Sequence, residues 1–563
     1  MFSKQSIILS LLLATFVPVD AALGEDTVGQ WEVFKIEMTA QNIYSNPYVD
    51  GLPDNGDRLV EVTFTGTGGK ASGMNYKIAG FWDGARIWKV RFSPPASGTW
   101  SYTSTSKDPG LNAITDTLIC KEWTETEKKD NPLRRGFIRV CKTGNRPGRY
   151  FEYSDGTPFL WIGDTWWNWT KKDINFSSFK KLVDDRAEKG FTVGQLFVAG
   201  NGWSSESSLL DETYNIPDIN SIRKVDRMIE YANQKGIVIW IHGWWSRKDL
   251  KATVGEEKIR RWWRYLVHRF GAYNVIWILA GEYNMYDYGG LGLEFWKNLG
   301  QMIDSVDPYE RIIGVHPTPP AWVGGADAPQ WSTGEVIHKQ PWLYYNQTQV
   351  GHGRWRNEMI PLVVAADYAR VPSKPIVVSE PWYEFIKASA APEDIRFGAW
   401  SAILSGAAGY TYGGGHIWRA HLPESTEEPG IWPLEKGFHT DTLDYPGAVS
   451  ISHIVNFLKN ISWWELEPHP ELIHEYPQKF CAAVPGQEYL VYLRYGGTVK
   501  IDLKPSTKED VFECICFEPS SGTHGGTLTV PGGEIGTFYP PEHYPHNPQC
   551  RDWILHIRKK ASN

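Results

Sequence analysis

The residues best suited to chemistry are two glutamates that each follow a short apolar run. Glu282 follows the run that ends at Ala280, and Glu380 follows the run Ile376 to Ser379. Cleavage of a glycosidic bond needs two carboxyl groups, one to protonate the leaving oxygen and one to attack the anomeric carbon or activate water. A carboxylate directly after a buried strand is costly unless it is paired or functional. We therefore predict that Glu282 and Glu380 form a catalytic pair.

Further polar and aromatic residues follow equivalent runs and are predicted to bind substrate around this pair. The chain has 28 Trp, and an indole offers a flat apolar face to a sugar ring while its N–H needs a partner. Carboxylates, amides and imidazoles would bind the sugar hydroxyls. The candidates are Asp164, Trp166, Trp167, His242, Trp244, Asn284, His316, Trp382, Glu384, Tyr412 and Trp418.

The same residues permit other interpretations. Carboxylates can form structural ion pairs, and indoles or histidines can belong to a core. His242 and His316 could bind a metal with Asp164, but no short or helical spacing joins them. The chain contains neither H-E-x-x-H nor G-x-S-x-G. We predict no metal and no cofactor. The alternatives are a non-catalytic carbohydrate- or matrix-binding protein and a metal-dependent hydrolase.

Eight short apolar runs alternate with amphipathic helices over residues 145–462. This order predicts a (β/α)₈ TIM barrel of the α/β class, whose catalytic groups lie at the carboxyl ends of the strands. Strands 4 and 7 then place Glu282 and Glu380 across the barrel mouth. An open doubly wound sheet is the alternative, and it would need a glycine-rich turn after the first strand, where this chain has Gly163-Asp-Thr-Trp-Trp167. The predicted strands are 159–163, 192–198, 237–242, 275–280, 312–315, 342–345, 376–379 and 409–412.

The segments on either side of the predicted barrel read as all-β sandwich domains. Residues 23–135 and 465–563 contain runs that alternate apolar and polar residues, separated by Gly, Pro, Asp and Ser. That alternation predicts strands with one buried face, as in a β-sandwich. The expected organisation is therefore a barrel flanked by an N-terminal and a C-terminal sandwich.

Composition and the N-terminus bear on location and partners. The net charge is −8 without a long basic stretch, so nucleic acid is not expected as a partner. Residues 1–22 read as a cleaved signal peptide, which predicts a secreted or periplasmic protein with no membrane association. The expected partner is a polysaccharide or oligosaccharide. Of the six Cys, Cys120 and Cys141 are predicted to form a disulfide and the others to pair within the C-terminal region, buried thiols being the alternative.

At three of these strand ends the sequence resembles the apiosidase-like glycoside hydrolases. The resemblance covers about residues 145–460 and rests on Phe159-Leu-Trp-Ile-Gly-Asp-Thr-Trp166, Asn274-Val-Ile-Trp-Ile-Leu-Ala-Gly-Glu282 and Ser379-Glu-Pro-Trp-Tyr-Glu384. It implies a barrel of retaining architecture, with Glu282 as acid/base, Glu380 as nucleophile and Asp164 shaping the sugar subsite. The N-terminal segment resembles the β-sandwich that often precedes such barrels. The C-terminal segment resembles a β-sandwich named for collagen binding.

Overall fold

A computed structural model describes residues 26–52, 58–200, 208–319, 331–386, 390–420, 442–541 and 552–561. Its centre is a sheet of eight parallel strands, β1 to β8, that curls into a nearly closed barrel. Consecutive strands pair with each other except β5 and β6, which form the two edges of the sheet, and β8 returns to pair with β1. The strands are Trp161–Trp166, Val193–Phe197, Val238–His242, Val275–Ile278, Ile313–Gly314, Asn346–Gln349, Ile376–Glu380 and Gly409–Tyr412. The predicted barrel fold is confirmed.

Seven helices, α1 to α7, follow the strands and form the outer layer. The helix α2 is amphipathic and buries Ile222, Val225 and Ile229 against the sheet, whereas α6 is buried along most of its length. Between β5 and β6 the described residues contain a 3₁₀ turn, Thr333–Glu335, in place of a long helix. The helices are Phe176–Glu188, Ile219–Gln234, Glu256–Phe270, Leu293–Val306, Ile360–Tyr368, Pro392–Leu404 and Pro446–Leu458.

The sixth strand differs from its prediction. The apolar run 342–345 was the expected strand, whereas β6 comprises the polar residues Asn346–Gln349, all of them buried. The apolar residues Trp342 and Leu343 instead pack into the core between strand and helix layers. The carboxyl end of β6 therefore lies four residues later than expected, and Gln349 occupies it.

The lower half of the barrel interior is apolar and closed. A small sheet of Arg139–Val140, Phe151–Glu152 and Pro158–Phe159 lies at the amino end of the strands. Phe151 contacts Trp161 at a ring-centroid distance of 5.2 Å. Trp161 in turn lies edge-to-face on Trp240 at 4.8 Å. This aromatic plug leaves the carboxyl end as the face available to substrate.

Antiparallel sheets flank the barrel at both ends of the chain. The N-terminal pair packs face to face around a core that includes Val62, Phe64, Trp88 and Trp100. One sheet contains Asp26–Gly29, Thr115–Lys121, Gly98–Ser106, Val60–Gly66 and Asn75–Ala79, with its first pair parallel, and the other contains Phe34–Thr39, Ile87–Phe92 and Phe81–Trp82. The short helices of this region are Pro47–Asp50 and Glu125–Asp130.

The C-terminal region also forms two sheets and packs directly on the barrel. Its larger sheet contributes Phe480, Tyr492 and Phe517 to a core that is shared with α6 and α7. That sheet contains Glu467–Pro468, Phe480–Val484, Glu488–Leu493, Trp553–Lys559, Val511–Glu518 and Thr523–Pro531, and the smaller contains Ile473–His474, Val499–Asp502 and Ile535–Phe538. A buried ion pair between Arg396 and Asp552, 2.7 Å apart, fixes the two domains to each other.

A cluster of four buried charges joins the N-terminal sheets to the barrel helices. Arg269 of α3 contacts Asp83 at 2.8 Å and Asp226 of α2 through Nε at 2.9 Å. Arg91 also contacts Asp226, at 2.8 Å. Burial would raise the pKa of Asp83, but the charge of Arg269 and hydrogen bonds from its cationic neighbours hold that pKa at about 2. We call Asp83, Arg91, Asp226 and Arg269 the interface charge cluster.

The cysteine prediction is wrong for the described residues. Cys120 and Cys141 are separate buried thiols, as are Cys481, Cys514 and Cys516. Cys550 lies outside the described residues, and so does the predicted signal peptide, residues 1–22. In the part of the chain that the structure describes, none of the helices is long and apolar enough to cross a membrane.

Candidate active site

Glu380 is the last residue of β7 and lies between two imidazoles. Its side chain is 9% exposed, and its Oε2 lies 3.0 Å from His316 Nε2. Its Oε1 lies 3.4 Å from His352 Nε2. Burial would raise the pKa of Glu380, but the hydrogen bonds and electrostatic attraction of His316 and His352 outweigh it and hold the pKa at about 2. Glu380 is therefore ionised at neutral pH.

Glu282 follows β4 in a strained turn. Its backbone is left-handed, with a φ of 46°, which costs a non-glycine residue about 1 kcal/mol or more. The preceding Gly281 is required by packing, because a Cβ there would lie 2.0 Å from the ring of Trp245. The glycine lets that indole lie beside Glu282. Local strain and close packing together aim this carboxyl, as is common at functional sites.

The electrostatics of Glu282 are opposite to those of Glu380. Its Oε1 accepts a hydrogen bond from Gln349 Nε2 at 3.2 Å. Among the described residues no lysine or arginine forms an ion pair with either glutamate. Burial first, and the negative charge of Glu380 second, raise the pKa of Glu282 to about 8. Glu282 is therefore mostly protonated at neutral pH.

Aromatic and imidazole rings form the floor below the two carboxyl groups. Trp167 lies edge-to-face on His242, with ring centroids 4.6 Å apart, and on Trp245 at 5.3 Å. His242 is 5.6 Å from His316. Neither nitrogen of His242 has a hydrogen-bond partner, and burial, then the neighbouring His316, hold its pKa well below the ordinary value. The floor is a buried layer of low polarity that contains the neutral, unpartnered imidazole of His242.

Tyr383 connects this floor to the end of β7. Its hydroxyl accepts a hydrogen bond from Trp167 Nε1 at 3.2 Å. Its ring lies 4.6 Å from that of His352. Burial, then the charge of Glu380, raise the pKa of Tyr383 well above its ordinary value, so its phenol remains neutral. Tyr383 thus orients both Trp167 and His352 without adding charge.

Five of the residues singled out from the sequence meet in this one site. The structure brings Glu282, Glu380, Trp167, His242 and His316 together at the ends of β1, β3, β4, β5 and β7. They meet because parallel strands present their carboxyl ends at the same rim of a barrel.

Asp164 and Trp166 lie on the outer face of β1 and not in this group. Asp164 has no exposed surface and forms an ion pair with Arg186 of α1 at 2.7 Å. Trp166 packs edge-to-face on Phe179 of the same helix at 5.7 Å. Residues two apart on a strand share a face, so both side chains join the strand to the helix layer. Their predicted contact with substrate is corrected to a structural role.

Trp244, Glu384 and Tyr412 also lie in the barrel wall. Trp244 is buried, with its indole N–H directed at the Ile259 carbonyl oxygen of α3. Glu384 accepts hydrogen bonds from the Tyr412 hydroxyl at 2.7 Å and from the Gly447 backbone N–H at 2.8 Å. A carboxylate there caps the first turn of α7, which favours negative charge. These three predictions are likewise corrected to structural roles.

The remaining candidates are buried near the rim. The Asn284 side-chain oxygen accepts a hydrogen bond from the Thr318 backbone N–H at 2.8 Å, so it joins the loops that follow β4 and β5. The Trp382 indole N–H donates to the Ile386 carbonyl oxygen. Trp382 and Trp418 are 5% and 4% exposed. Neither indole therefore offers an open face to a sugar ring.

Four residues of the site were missed from the sequence. Gln349 and His352 follow β6, whose end was placed too early because the apolar run 342–345 resembles a strand more than Asn346–Gln349 does. Trp245 is adjacent to the predicted Trp244, and strand alternation sends the two indoles to opposite faces. Tyr383 stands inside the quoted motif Ser379 to Glu384. Trp245 and Tyr383 lie beside predicted site residues in the sequence, whereas no sequence pattern marks Gln349 and His352.

The site can transfer protons and stabilise positive charge. It holds one ionised and one protonated carboxyl group on a floor of indole and imidazole rings. Within the described ranges, no three His, Cys, Asp or Glu side chains are placed to hold a metal ion. Environments that push two carboxyl pKa values apart assign one group as acid and the other as nucleophile or base.

Three solved structures with a similar fold are described as glycoside hydrolases. A glycoside hydrolase family 5 protein from Bacteroides vulgatus ATCC 8482 aligns with a TM-score of 0.65 at 21% identity, covering 77% of this chain and 95% of that one. A protein described as a glycoside hydrolase aligns with a TM-score of 0.65 at 20% identity, covering 77% and 99%. A provisionally assigned glycoside hydrolase from Bacteroides vulgatus ATCC 8482 gives 0.66 at 17%, covering 95% and 100%. At these identities the likeness establishes a shared fold alone.

The family follows from the sequence itself. Residues 145–465 match the model of the apiosidase-like catalytic domain. The chain therefore belongs to the apiosidase-like family, as the strand-end motifs indicated. Residues 27–107 match DUF5060, a domain of unknown function. No curated protein matches the chain.

Proposed function

We propose that this protein is a secreted enzyme that hydrolyses glycosidic bonds of a polysaccharide by a double displacement. The observation that carries the proposal is the opposite electrostatic environment of two carboxyl groups in one site. Glu380 is held ionised by two imidazoles, and Glu282 is held protonated by burial and by the charge of Glu380. Hydrolysis by two carboxyl groups requires this division of roles in both its retaining and its inverting form, and the retaining architecture implied by the strand-end motifs favours the double displacement.

Glu380 acts as the nucleophile and Glu282 as the acid in the first step. The Glu380 carboxylate attacks the anomeric carbon while Glu282 donates its proton to the leaving oxygen, so the glycosidic bond breaks and a glycosyl ester of Glu380 forms. That ester removes the negative charge of Glu380 and lowers the pKa of Glu282. The ionised Glu282 then takes a proton from water, which attacks the anomeric carbon and releases Glu380.

The surrounding residues suit a saccharide substrate. Trp245, which is partly exposed, supplies apolar surface for the C–H face of a sugar ring, and the buried Trp167 supports it. The buried His242 lies against Trp167 beneath that surface. The motif at residues 1–22 supports export to where polysaccharides are found. The mature enzyme is accordingly proposed to act outside the cytoplasm.

The test is product release from a broad panel of glycans by the wild type and by Glu380→Gln. The proposal expects sugar release by the wild type and its loss in a variant whose circular dichroism spectrum and melting temperature match a folded protein. NMR of the first product on a responsive glycan should show the anomeric configuration of the substrate. Equal release by both proteins would remove Glu380 as nucleophile, and an inverted first product would replace the double displacement with a single one.

A second candidate function is carbohydrate binding without hydrolysis. The observation in its favour is that the buried Glu380 is paired with His316 at 3.0 Å and with His352 at 3.4 Å, an arrangement that also suits a structural carboxylate. It predicts that the wild type binds a glycan of the panel without releasing sugar, and that Glu380→Gln binds it equally. Activity that survives a chelator would exclude the third alternative, a metal-dependent hydrolase.

A further inference from the structure

One tryptophan on the rim of the barrel is left open to solvent. Trp355 is 60% exposed, whereas no other Trp is among the large exposed apolar residues in the described ranges. An exposed indole loses the free energy that burial would provide. Its ring is nevertheless held in place, edge-to-face on Trp331 at a centroid distance of 6.0 Å and 89°. The Arg356 guanidinium lies over one face of this ring, 4.9 Å from its centroid. The exposed remainder of the ring is held in place and suited to binding a ligand.

The segment that carries Trp355 also supplies the catalytic site. The helix Arg354–Asn357 begins two residues after His352, which contacts Glu380. Three residues of chain span at most about 11 Å, so Trp355 stands close to the nucleophile. The Trp331 carbonyl oxygen accepts a hydrogen bond from the Gln349 backbone N–H at 3.1 Å. Both indoles are thus tied to the end of β6.

Salt bridges connect this rim to the C-terminal domain. Arg354 contacts Asp394 at 3.6 Å, and Asp394 contacts Arg494 at 3.7 Å. Arg494 also contacts Glu358, at 3.3 Å. Arg494 lies in the turn between the strands Glu488–Leu493 and Val499–Asp502, so this turn is docked beside the rim. The next residue is Tyr495, which is 55% exposed.

We propose that Trp355 and Tyr495 form an aromatic binding surface that extends the cleft from Glu380 onto the C-terminal domain and binds further sugar units of a chain substrate. Each of these two exposed aromatic residues is adjacent in sequence to an arginine of one salt-bridge network, Trp355 to Arg354 and Tyr495 to Arg494. Indole and phenol faces bind sugar rings through apolar contact while the sugar hydroxyls stay hydrated. The inference rests on the proposed function, and it makes the C-terminal domain part of the substrate site.

The test compares Trp355→Ala, Trp355→Phe and Tyr495→Ala on oligosaccharides of increasing length from the responsive glycan. For Trp355→Ala the loss of kcat/KM should grow with chain length to ~10-fold, and it should appear in KM more than in kcat. Phe should restore most of the loss, because it retains an aromatic face. Tyr495→Ala should lower kcat/KM only on oligosaccharides longer than the shortest one affected by Trp355→Ala. Tyr539→Ala is the matched control, because Tyr539 is 46% exposed and directly follows the strand Ile535–Phe538 of the smaller C-terminal sheet.

A loss that is the same at every length, or that appears in kcat alone, would overturn the proposal, as would no loss. Calorimetric binding tests the aromatic surface separately from hydrolysis. The same oligosaccharides are titrated into Glu380→Gln with and without Trp355→Ala. Length-dependent weakening in that background would support the aromatic surface even if the wild type released no sugar. Equal binding of all lengths, or no binding, would overturn it.

Discussion

Two groups of buried acidic residues in this molecule have opposite partners. In the interface charge cluster, Asp83 and Asp226 face Arg91 and Arg269 at 2.8 to 2.9 Å. In the active site, Glu282 and Glu380 face each other, with imidazoles and an amide as their hydrogen-bond partners. Both groups join segments distant in the chain. The interface charge cluster contains two acidic and two basic side chains, whereas neither active-site glutamate is paired with a lysine or arginine among the described residues.

The balance decides the protonation of each group. In the cluster, burial opposes ionisation, but the guanidinium groups outweigh it, so the pKa values of both Asp83 and Asp226 are lowered. In the site only Glu380 gains such compensation, and the pKa of Glu282 rises to about 8. Carboxylates that are paired with arginines stabilise an interface, whereas a carboxyl group buried beside a second carboxylate stays protonated and can act as an acid. The same substitution should therefore have opposite consequences in the two places.

The largest expected effect is on activity at Glu380. Glu380→Gln keeps the shape of the side chain but removes the nucleophile, so kcat/KM should fall by at least ~10⁴-fold. Asp226→Asn makes the equivalent change in the interface charge cluster and should leave kcat close to that of the wild type wherever the variant is folded. Initial rates on the responsive glycan measure both. A comparable loss of kcat in folded Asp226→Asn would break the distinction.

The next effect is the loss of the acid at Glu282. Glu282→Gln cannot donate a proton, so kcat should fall by ~10³-fold on substrates with poor leaving groups. An activated aryl glycoside needs less protonation and should lose less activity. In Glu282→Ala, added azide should restore turnover by replacing water in the second step. An equal loss on both kinds of leaving group would argue against the acid role.

The same Glu282→Gln substitution that lowers activity should raise the stability of the folded protein. Folding raises its pKa from an ordinary value of about 4.3 to about 8, so the native state loses stability as pH rises between these values. Gln does not ionise, and Glu282→Gln should be more stable than the wild type at neutral pH by roughly 1–3 kcal/mol. The difference should vanish below about pH 4. Urea unfolding at several pH values measures it, and a destabilised variant at neutral pH would contradict the assignment.

Asp226→Asn should instead lower the stability of the folded protein. It leaves Arg91 and Arg269 without their shared carboxylate, and breaking a buried pair costs about 3 kcal/mol or more. Because folding lowers the pKa of Asp226, its contribution is present above the unfolded pKa and is lost as pH falls through the folded value. The stability deficit should therefore shrink in acid. A deficit that did not depend on pH would indicate lost packing in place of lost charge.

The smallest effect is expected at His352. His352→Gln keeps a hydrogen-bond donor for Glu380 but removes a titratable imidazole, so the pKa of Glu380 should rise by about 1 unit, equivalent to ~1.4 kcal/mol. The acidic limb of the pH profile of kcat/KM should therefore shift to higher pH. The maximal rate should fall far less than in Glu380→Gln. A pH–rate profile measures the shift. An unmoved acidic limb would show that His316 alone sets the charge of Glu380.

The sequence predicted the barrel and its two glutamates because both depend on local patterns. Apolar runs followed by carboxylates mark strand ends, and β4 and β7 have that form. The polar strand Asn346–Gln349 lacks it, so Gln349 and His352 were not recognised. Asp164 and Glu384 also follow apolar runs, but their partners Arg186 and Gly447 are 22 and 63 residues away. Whether a strand-end carboxylate faces the cleft or the helices depends on such long-range contacts.

The central claim is that burial and the charge of the ionised Glu380 together keep Glu282 protonated at neutral pH. Its most direct test is an infrared titration of the Glu282 carboxyl, assigned by difference against Glu282→Gln, in the wild type and in Glu380→Gln. We predict a pKa of about 8 in the wild type and a decrease of about 1 unit or more when the charge of Glu380 is removed. A wild-type Glu282 that titrates near its ordinary value, or one that does not respond to Glu380→Gln, would contradict the account.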